Sequence, residues 1–510
     1  MIKHVTLIRP PIVSSLNSFS APVTPPLALA YLSASLETDG CRVSAIDAVG
    51  EAINQVHIFE DMECRVRGLS IDGILRRIPG ETDLIGISCM FTQEWLFVKV
   101  IVDAIAAEFP GIPIVLGGEH VTAMPEYLLE TCSAVDLCAL GEGEETILDI
   151  AKNYSENPDC IQGIVYRDGE GRIKRTDPRK RIRHIEEIPR PRWDKIPIGA
   201  YLESGFGHGI NAGRTMPILA TRGCPFQCTF CSNKNMWDLK YYARSPRDVV
   251  GEIEEYVQKY KIDNIDFYDL TAIIKKTWIV EFAGLLKEKK LNISWSLPSG
   301  TRSEALDSEV TKLMSDTHCK YLVYAADSGS KEMLRYIKKE VDLARMLDSM
   351  KAAKKNGLSL RCNIMMGFPR EKRRDVWSTL LFQTRLAFIG VDDAPIYMFS
   401  PYPGSELFDY LRGTKRIAEI NDEYFRSLLC QMDLTKSSSY CENIGAVELA
   451  VYRFMGMTVF YLLSYILYPW RIFRSVKNIF FARKTATVFE QRLVEYLKTQ
   501  KAISQHGQKA

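Results

Sequence analysis

Apolar runs of strand length alternate with helix-length amphipathic segments through the first part of the chain. The apolar runs are residues 5–8, 43–46, 84–88, 114–116 and 134–140. Residues 95–109 form one of the amphipathic segments between them. Short buried strands that alternate with helices are typical of a parallel sheet with helices on both faces. We therefore expect residues 1–153 to form an α/β domain with a doubly wound, Rossmann-like sheet.

A second series of strand-like runs follows in the middle of the chain, again separated by helical segments. These runs are residues 218–221, 265–268, 293–297, 321–325, 358–366 and 395–400. Six such units are too few for a complete eight-fold barrel. Barrel chemistry takes place at the carboxyl ends of the strands, so ligating residues at those ends are candidates for a site.

The composition indicates a large soluble protein in a reducing compartment. The 510 residues are 46% hydrophobic and 25% charged, and the formal charge of +2 offers no argument for a nucleic-acid partner. Thirteen cysteines, an odd number, are scattered along the chain, and we see no hydrophobic leader. A secreted disulfide framework is therefore not expected. We expect a cytoplasmic protein with free thiols.

Three cysteines lie directly after the first strand-like run of the second series. Cys224, Cys228 and Cys231 form a C-x3-C-x2-C triplet in the sequence GCPFQCTFC. Three thiolates can hold an iron-sulfur cubane and leave its fourth iron open to a small chelating molecule. Zinc is the alternative, but zinc sites usually close with a second Cys or His pair. Here the next cysteine is Cys319 and the nearest histidine is His208, which complete no recognisable zinc pattern.

With Phe230 before its last cysteine, this loop resembles that of the radical S-adenosylmethionine (SAM) superfamily. The resemblance implies a 4Fe-4S cluster on the triplet, an open iron that binds the amino and carboxylate groups of SAM, and cleavage of SAM to a 5'-deoxyadenosyl radical. The six strand-helix units match the partial (β/α)6, TIM-like barrel of that superfamily, whose open side admits large substrates. We therefore expect residues 202–412 to form this barrel.

The resemblance also implies SAM contacts at the carboxyl ends of the barrel strands: Phe230, Asp269, Asp327, Ser328, Gly367 and Phe368. Asp269, in DFYDLTA, is a candidate for the SAM amino group, because a carboxylate can pair with an ammonium. Asp327 begins AADSGS, a segment that usually begins with Glu in the superfamily, so the shorter side chain is a departure. Arg302 is a weaker candidate for a carboxylate contact. Ordinary capping or packing at strand ends is the alternative for each.

Glycine-rich turns fall at the strand ends of the first domain. Glycine lets the backbone approach a bulky ligand, but no GxGxxG follows the first strand, which weakens a dinucleotide interpretation. The ordered series RPP, GISC, LGGEH and LGEGEET, placed ahead of the triplet, resembles the cobalamin-binding domain of cobalamin-dependent radical SAM proteins. The resemblance implies that six residues border the corrin: Ser88, Gly117, Gly118, Glu119, Gly141 and Glu142.

The DxHxxG motif that supplies a histidine to cobalt in other cobalamin domains is absent. Residues 9–31 contain no histidine, so the cobalt would lack a protein imidazole, as it does in many radical SAM relatives. His57 and His120 are possible replacements, although a lone histidine is more often an ordinary hydrogen-bonded residue. A domain that kept the fold and lost the cofactor is a further alternative.

Residues 154–201 are expected to connect the two domains. Residues 164–166 and 172–174 flank Asp168-Gly169, a strong hairpin signal. The proline-rich residues 188–193 follow, and they restrict the backbone as a linker does.

The last part of the chain, residues 413–510, is expected to be mostly helical. Residues 454–470 are uncharged and rich in aromatic side chains, at the lower edge of a membrane-spanning length. We expect a buried helix of a substrate-capping domain. The alternative is shallow contact with an anionic membrane through the basic flank at Arg474, Lys477, Arg483 and Lys484. Cys430 and Cys441 are too few for a second cluster, and we expect them to be structural.

The resemblance implies a cobalamin-dependent radical SAM enzyme, and we expect a methyltransferase that acts on an unactivated carbon. One SAM would methylate cobalamin, and a second would provide the deoxyadenosyl radical. The alternatives are a cyclase, oxidase or rearrangement enzyme without methyl transfer, an enzyme that uses SAM alone, and a non-catalytic cobalamin-binding protein. Expected partners are a small-molecule or lipid-like substrate and a low-potential electron donor of flavodoxin or ferredoxin type, with no nucleic acid.

Overall fold

The computed structural model describes residues 2–19, 21–272, 274–433, 436–481 and 484–506. Within these residues the chain forms two main sheets, each produced by one of the predicted strand-helix series, followed by a helical C-terminal region. The overall α/β class is as expected. The division of the chain at residues 153, 201 and 412 stays a prediction.

The first sheet contains the strands β1 His4–Arg9, β3 Arg42–Asp47, β6 Leu84–Ser88, β7 Ile114–Gly117, β8 Leu137–Ala139, β9 Ile164–Arg167 and β10 Ile173–Arg175. Its order is β10-β9-β8-β7-β6-β1-β3, and the strands from β8 to β3 are parallel. Its helices are α1 Leu27–Thr38, α2 Ile71–Leu75, α3 Trp95–Glu108, α4 Glu119–Ala123, α5 Pro125–Thr131 and α6 Gly143–Asn153.

Both faces of this sheet are covered. Leu7 of β1 packs in one apolar cluster with residues of α1 and α6, whereas the next residue, Ile8, packs in another with residues of α3 and α5. This alternation arises because successive side chains of a strand point to opposite faces. The doubly wound prediction for this domain is therefore confirmed.

The predicted hairpin lies in this sheet and not in a free linker. Strand β9 pairs antiparallel with β8, with Cys138 opposite Val165, and β10 pairs antiparallel with β9. Ile164 and Val165 are fully buried, which explains why the hairpin docks on the sheet edge. The sheet thus differs from the purely parallel one that we expected.

A small antiparallel sheet, which the sequence pattern did not indicate, lies beside the first domain. It consists of β2 Ile12–Ser15, β4 Val56–Phe59 and β5 Cys64–Arg67, in the order β2-β5-β4. Between the domains, α7 Ile198–Ser204 follows the proline-rich segment. Trp193 of that segment is buried, and its Nε1 donates to the Tyr256 hydroxyl at 2.8 Å.

The second large sheet is the partial barrel. Its strands, parallel and neighbouring in chain order, are β11 Thr215–Ile218, β14 Asn264–Phe267, β15 Ser294–Thr301, β16 Cys319–Asp327, β17 Ser359–Met366 and β18 Ile396–Met398. Its helices are α8 Asn233–Trp237, α9 Pro246–Tyr260, α10 Lys276–Glu288, α11 Ser308–Asp316, α12 Lys331–Tyr336, α13 Leu343–Lys355 and α14 Arg373–Ile389.

The first barrel strand ends earlier than predicted. The chain leaves the barrel after Ile218, and β12 Thr221–Arg222 pairs with β13 Tyr242–Ala243 in a separate two-stranded ribbon. The cysteine loop and α8 lie between the two strands of this ribbon. The ribbon therefore holds both ends of the segment that carries the triplet.

The C-terminal region contains α15 Glu406–Gly413, α16 Asp422–Leu428, α17 Ala446–Leu467, α18 Trp470–Phe480 and α19 Val488–His506. The expectation of a buried helix over residues 454–470 is wrong. One stripe of α17 packs on the barrel, but Phe454 is 76% exposed, and the helix ends at Leu467, just before Pro469. Arg483 lies outside the described residues.

Candidate active site

The cysteine loop begins at a turn that requires glycine. Gly223 has a φ of +89°, and a Cβ there would lie 2.1 Å from the carbonyl oxygen of Lys240. Further along, the main chain of Thr229 donates to Ile337 O at 3.0 Å and accepts from Leu407 N at 2.9 Å. These contacts fix the loop against the barrel without using a cysteine side chain.

All three cysteines of the triplet are free thiols that solvent can reach at least in part. Cys228 and Cys231 line a cavity of about 310 Å³, together with Phe226 and Asn233. Among the described residues, no three Cys, His, Asp or Glu side chains are already gathered in ligating geometry. The donor set nevertheless fits an iron-sulfur cluster, because three soft thiolates border open space.

Asp269, just after β14, holds the start of the ribbon against the end of the second barrel strand. Its buried carboxylate accepts hydrogen bonds from the Ala220 amide at 3.1 and 3.2 Å and from the Thr221 hydroxyl at 2.5 Å. Burial raises its pKa to about 6, against these hydrogen bonds, which lower it. Asp269 thus positions the chain that leads to the triplet, and its contact with the SAM amino group stays a prediction.

Asp327 is paired with a residue that the sequence pattern did not indicate. Lys339 Nζ lies 2.5 Å from Asp327 Oδ2, and both side chains are largely buried. Asp327 also has a φ of +59°, at a register shift in β16. The eleven intervening residues include α12, so only the fold brings this lysine back to the strand end. The superfamily's Glu contact would therefore require Asp327 to share its carboxylate with Lys339.

Aromatic side chains join the cysteine loop to the fifth barrel strand. The ring centroids of Phe230 and Phe368 are 5.9 Å apart, and Phe399 lies 5.3 Å from Phe368. Arg302, the weaker SAM candidate, lies over the Phe226 ring at 3.8 Å. The structure thus places Phe230, Phe368 and Arg302 near the triplet, and their contacts with SAM stay predictions.

The turn after β17 depends on Glu371, which sequence reasoning missed. Gly367 has a φ of +93°, and its amide donates to Glu371 Oε2 at 2.5 Å. Burial raises the pKa of Glu371 to about 8, and its Oε1 has no hydrogen-bond partner among the described residues. At the neighbouring strand end, the Ser328 hydroxyl lies 3.1 Å from Thr379 Oγ1. The SAM contacts predicted for Gly367 and Ser328 stay predictions.

The strand ends of the first sheet leave space beside glycine backbones. Ser88 and Gly117 are opposite each other at the ends of β6 and β7, and a Cβ at Gly117 would meet no atom within 4 Å. At Gly141 the nearest atom would be Met236 O at 3.9 Å. Gly118 is different, since φ is +128° and a Cβ would lie 2.6 Å from Cys89 O. These residues fit a large planar ligand that approaches the main chain.

The first domain and the barrel contact each other between the predicted cobalamin site and the predicted cluster site. The Ser232 hydroxyl, one residue after the triplet, donates to Glu119 Oε1 at the start of α4. Thr122 of α4 lies 3.5 Å from the Met236 sulfur of α8. Burial raises the pKa of Glu119, and the Ser232 hydrogen bond lowers it. The LGGEH turn and the cysteine loop therefore border one space.

Glu142 has a structural role that its sequence position did not reveal. Its carboxylate lies 3.1 Å from Arg222 and 2.7 Å from Arg181, while Arg222 also lies 2.5 Å from Glu144. All four side chains are buried or nearly so. Their charges join α6 of the first domain to β12 of the second. With its carboxylate occupied, Glu142 has only its main chain free for the predicted corrin border.

The two histidines considered for cobalt lie in different surroundings. His120 is 1% exposed and lies between Trp95 and Phe425, each with its ring centroid 6.0 Å away. Burial lowers its pKa to about 3, so the ring is neutral, and neither ring nitrogen has a partner among the described residues. His57 lies in β4 of the small antiparallel sheet. A cobalt-ligand role for either stays a prediction.

Two family models match the chain in the order of its domains. The B12 binding domain matches residues 19–151, and the Radical SAM superfamily matches residues 218–382. These matches imply a 4Fe-4S cluster, SAM and cobalamin as the cofactors, and the residues described above fit all three.

Curated relatives match most of the chain at low identity. An uncharacterized methyltransferase of Pyrococcus horikoshii is 28% identical over 423 residues, covering 82% of this chain and 85% of its own. The cytidylyl-2-hydroxyethylphosphonate methyltransferase of Streptomyces wedmorensis is 26% identical over 417 residues, with coverages of 75% and 77%. The anaerobic magnesium-protoporphyrin IX monomethyl ester cyclase of Cereibacter sphaeroides is 24% identical over 457 residues, with coverages of 88% and 69%.

Solved structures share the fold. The radical SAM methyltransferase TsrM from Kitasatospora setae, with cobalamin and a 4Fe-4S cluster bound, superposes with a TM-score of 0.62 at 16% identity, covering 81% of this chain and 75% of its own. The cobalamin-dependent SAM radical enzyme OxsB gives 0.67 at 15% identity, with coverages of 99% and 79%. With the B12 binding domain and the Radical SAM superfamily domain both matched, in order, this chain belongs to the cobalamin-dependent radical SAM enzymes.

Proposed function

We propose that this enzyme is a C-methyltransferase that acts on an unactivated carbon of its substrate and consumes two SAM molecules. The observation that carries the proposal is the contact between the LGGEH turn and the cysteine loop, through Glu119 and Ser232. Methyl transfer to a substrate radical requires both cofactors to reach one carbon atom. The two methyltransferase relatives, which match over 75% or more of the chain, support methyl transfer as the reaction class.

When bound, the reduced cluster supplies the electron for SAM cleavage, and cobalamin carries the methyl group from SAM to the substrate. The chain's own residues bind and orient these groups. Asp269 and the Gly223 turn hold the cysteine loop at the barrel mouth. The rings of Phe230, Phe368 and Phe399 form an apolar wall that excludes water beside it.

A radical cyclase or oxidase without methyl transfer is the second candidate. The cyclase of Cereibacter sphaeroides matches 88% of this chain, a larger share than either methyltransferase named above. The two reactions differ in their SAM products. Methyl transfer from SAM leaves S-adenosylhomocysteine, whereas radical formation alone leaves only 5'-deoxyadenosine and methionine.

We further propose a cytoplasmic enzyme that takes electrons from a flavodoxin or ferredoxin and acts on a small-molecule or lipid-like substrate. All thirteen cysteines are free, as a reducing compartment allows. The exposed position of Cys231 leaves one side of the cysteine loop accessible to an electron donor.

The test is anaerobic purification with cobalamin supplied, followed by iron, sulfide and corrin determination and by SAM turnover under strong reductant. We expect about four irons per chain, one corrin, and both deoxyadenosine and S-adenosylhomocysteine. Replacing Cys224, Cys228 and Cys231 by alanine should abolish iron binding, while replacing the exposed Cys160 should not. Deoxyadenosine without S-adenosylhomocysteine would favour the cyclase or oxidase, and wild-type protein without iron would refute the proposal.

A further inference from the structure

Helix α17 has an apolar outer stripe, and its inner stripe combines the fully buried Leu449 and Phe460 with buried polar residues. The stripe against the barrel includes Arg453, which is 3% exposed and donates to Asp433 O at 2.9 Å, and the buried Ser464. The opposite stripe is exposed and consists of Val447, Val451, Phe454, Leu462 and Ile466. A surface helix of a soluble protein normally exposes polar residues, so α17 is inverted on its outer side. Exposure of the outer stripe to water is therefore unfavourable.

Helix α18 is inverted in the same way. Arg471 is 5% exposed, and it donates to Gly390 O at 2.6 Å and to Ser464 Oγ at 2.5 Å. The outer side presents Trp470, Phe473, Val476 and Phe480 to solvent, and Phe473 is 77% exposed. Two consecutive helices with this inversion indicate a surface that normally contacts an apolar medium. We refer to the exposed residues of α17 and α18 as the apolar face.

Helix α14 extends the apolar face on one side. Trp377, Leu381 and Phe388 of α14 are exposed. The ring centroids of Trp377 and of Tyr452 in α17 are 5.9 Å apart, so the two helices contact each other here. Exposed tryptophans, here Trp377 and Trp470, are typical of the boundary between lipid and water. Contiguous apolar surface of this extent is uncommon on a monomeric soluble protein.

A cationic cavity borders the apolar face at the junction of α13, α14 and α18. It has a volume of about 390 Å³, and its lining includes Trp470 of the apolar face. The charged residues that line it are Lys351, Lys354, Lys355, Arg471, Arg474 and Asp392. Five cations thus surround a single carboxylate. The Asp392 carboxylate lies 2.6 Å from Lys354 and 3.1 Å from Arg471. Just outside the lining, Asp348 lies 2.9 Å from Lys351 and Glu490 lies 3.6 Å from Arg474, so two positive charges remain in excess.

The cavity is separate from the cofactor site. Its residues Gly390 and Asp392 follow α14 and precede β18, at the amino-terminal side of the barrel strands, whereas the cysteine loop lies at the carboxyl side. By length and composition alone, α17 could cross a membrane. Its inner stripe, however, is bound to the barrel through Arg453 and through the Tyr461 hydroxyl, which donates to Asp393. This anchoring favours a helix that lies on a membrane surface.

We propose that the apolar face docks on the surface of a bilayer that contains anionic phospholipid, with a lipid phosphate in the cationic cavity. The apolar side chains enter the acyl boundary, and the lysines and arginines meet the negative headgroups. The charge excess selects this occupant over a second copy of the chain, since two identical cationic cavities would repel each other. The inference goes beyond the proposed function, and it concerns binding alone.

The test is co-sedimentation of the full-length protein with phosphatidylcholine vesicles, with and without phosphatidylglycerol. We expect binding only when phosphatidylglycerol is present, and weaker binding as salt increases. The variant F473S/F480S should bind about tenfold more weakly for each phenylalanine removed. The variant K351Q/K355Q should bind about fivefold more weakly for each lysine. All four side chains lie at the surface, so both variants are expected to fold.

Matched controls lie on other faces of the protein. V280S/L497S replaces two exposed apolar residues of α10 and α19, and K287Q/K312Q replaces two exposed lysines. Both controls should bind as the wild type does. The proposal is overturned if the wild type does not sediment with anionic vesicles, or if F473S/F480S binds no worse than its control. A dimer in sedimentation equilibrium that F473S/F480S dissociates, without vesicle binding, would assign the face to a second copy instead.

Discussion

Replacing Arg222 by methionine removes the cation that joins the two domains. Its guanidinium lies 3.1 Å from Glu142 and 2.5 Å from Glu144, and all three side chains are buried. Methionine fills a similar volume without charge, so two buried carboxylates would share Arg181 alone. Removing one partner of a buried ion pair costs about 3–5 kcal/mol. We expect this loss of stability to be local to α6 and to β12, which leads directly into the cysteine loop.

Hydrogen exchange measures this loss locally. A cost of about 3–5 kcal/mol corresponds to roughly 10² to 5 × 10³ times faster exchange of protected amides in α6 and β12. The double variant E144Q/R222M removes the unpaired charge as well and should restore much of the protection. R247M, an exposed arginine of α9, is the control and should exchange like the wild type. Unchanged exchange in R222M, or no recovery in the double variant, would refute the ion-pair argument.

Three further predictions test the site. Gly118→Ala forces a Cβ to 2.6 Å from Cys89 O at a φ of +128°, so it should cost at least about 1–2 kcal/mol and reduce corrin retention, whereas the open Gly169→Ala should not. Because the pKa of Glu371 is raised to about 8, stability at its turn falls as pH rises from about 4.5 to about 8; Glu371→Gln should remove this dependence in thermal unfolding. Burial alone would raise the pKa of Glu144, but the attraction of Arg222 is larger and the pKa is lowered. The stabilisation that this ion pair provides is therefore present above about pH 4.5 and is lost as the pH falls below that value. Acid unfolding of R222M should therefore begin at a higher pH than that of the wild type.

Local pattern was sufficient for the parallel strands of both large sheets. The apolar runs near β6 and β7 lead into helical segments, and this periodicity depends on near neighbours along the chain. After β1 and β3, by contrast, strands of the small antiparallel sheet come before the next α-helix. The hairpin was also recognisable, because a glycine-rich run between two strand-like segments is a local signal. Its loop nevertheless has the five residues 168–172, with the positive φ at Gly171 and not at Gly169. Its place on the sheet edge was not recognisable, since that depends on the unpaired edge of β8.

Contacts between distant segments could not be predicted in this way. Asp327 is paired with Lys339, and Glu142 with Arg222, eighty residues away. A strand end shows which residues are near a site, but not which of them already have a partner. The predicted roles of Asp269, Asp327 and Glu142 were inferred from position, and the structure shows that other groups of the chain share each carboxylate.

The sequence by itself determined the class of this protein, since the spacing of three cysteines and the series of glycine-rich turns are local features that directly reflect cluster and corrin chemistry. Only the tertiary structure decided how α17 and α18 are oriented. Their composition suits a buried helix and an interfacial helix equally well. The difference lies in which stripe packs on the barrel, and the buried hydrogen bonds of Arg453 and Arg471 turn the apolar stripes outward.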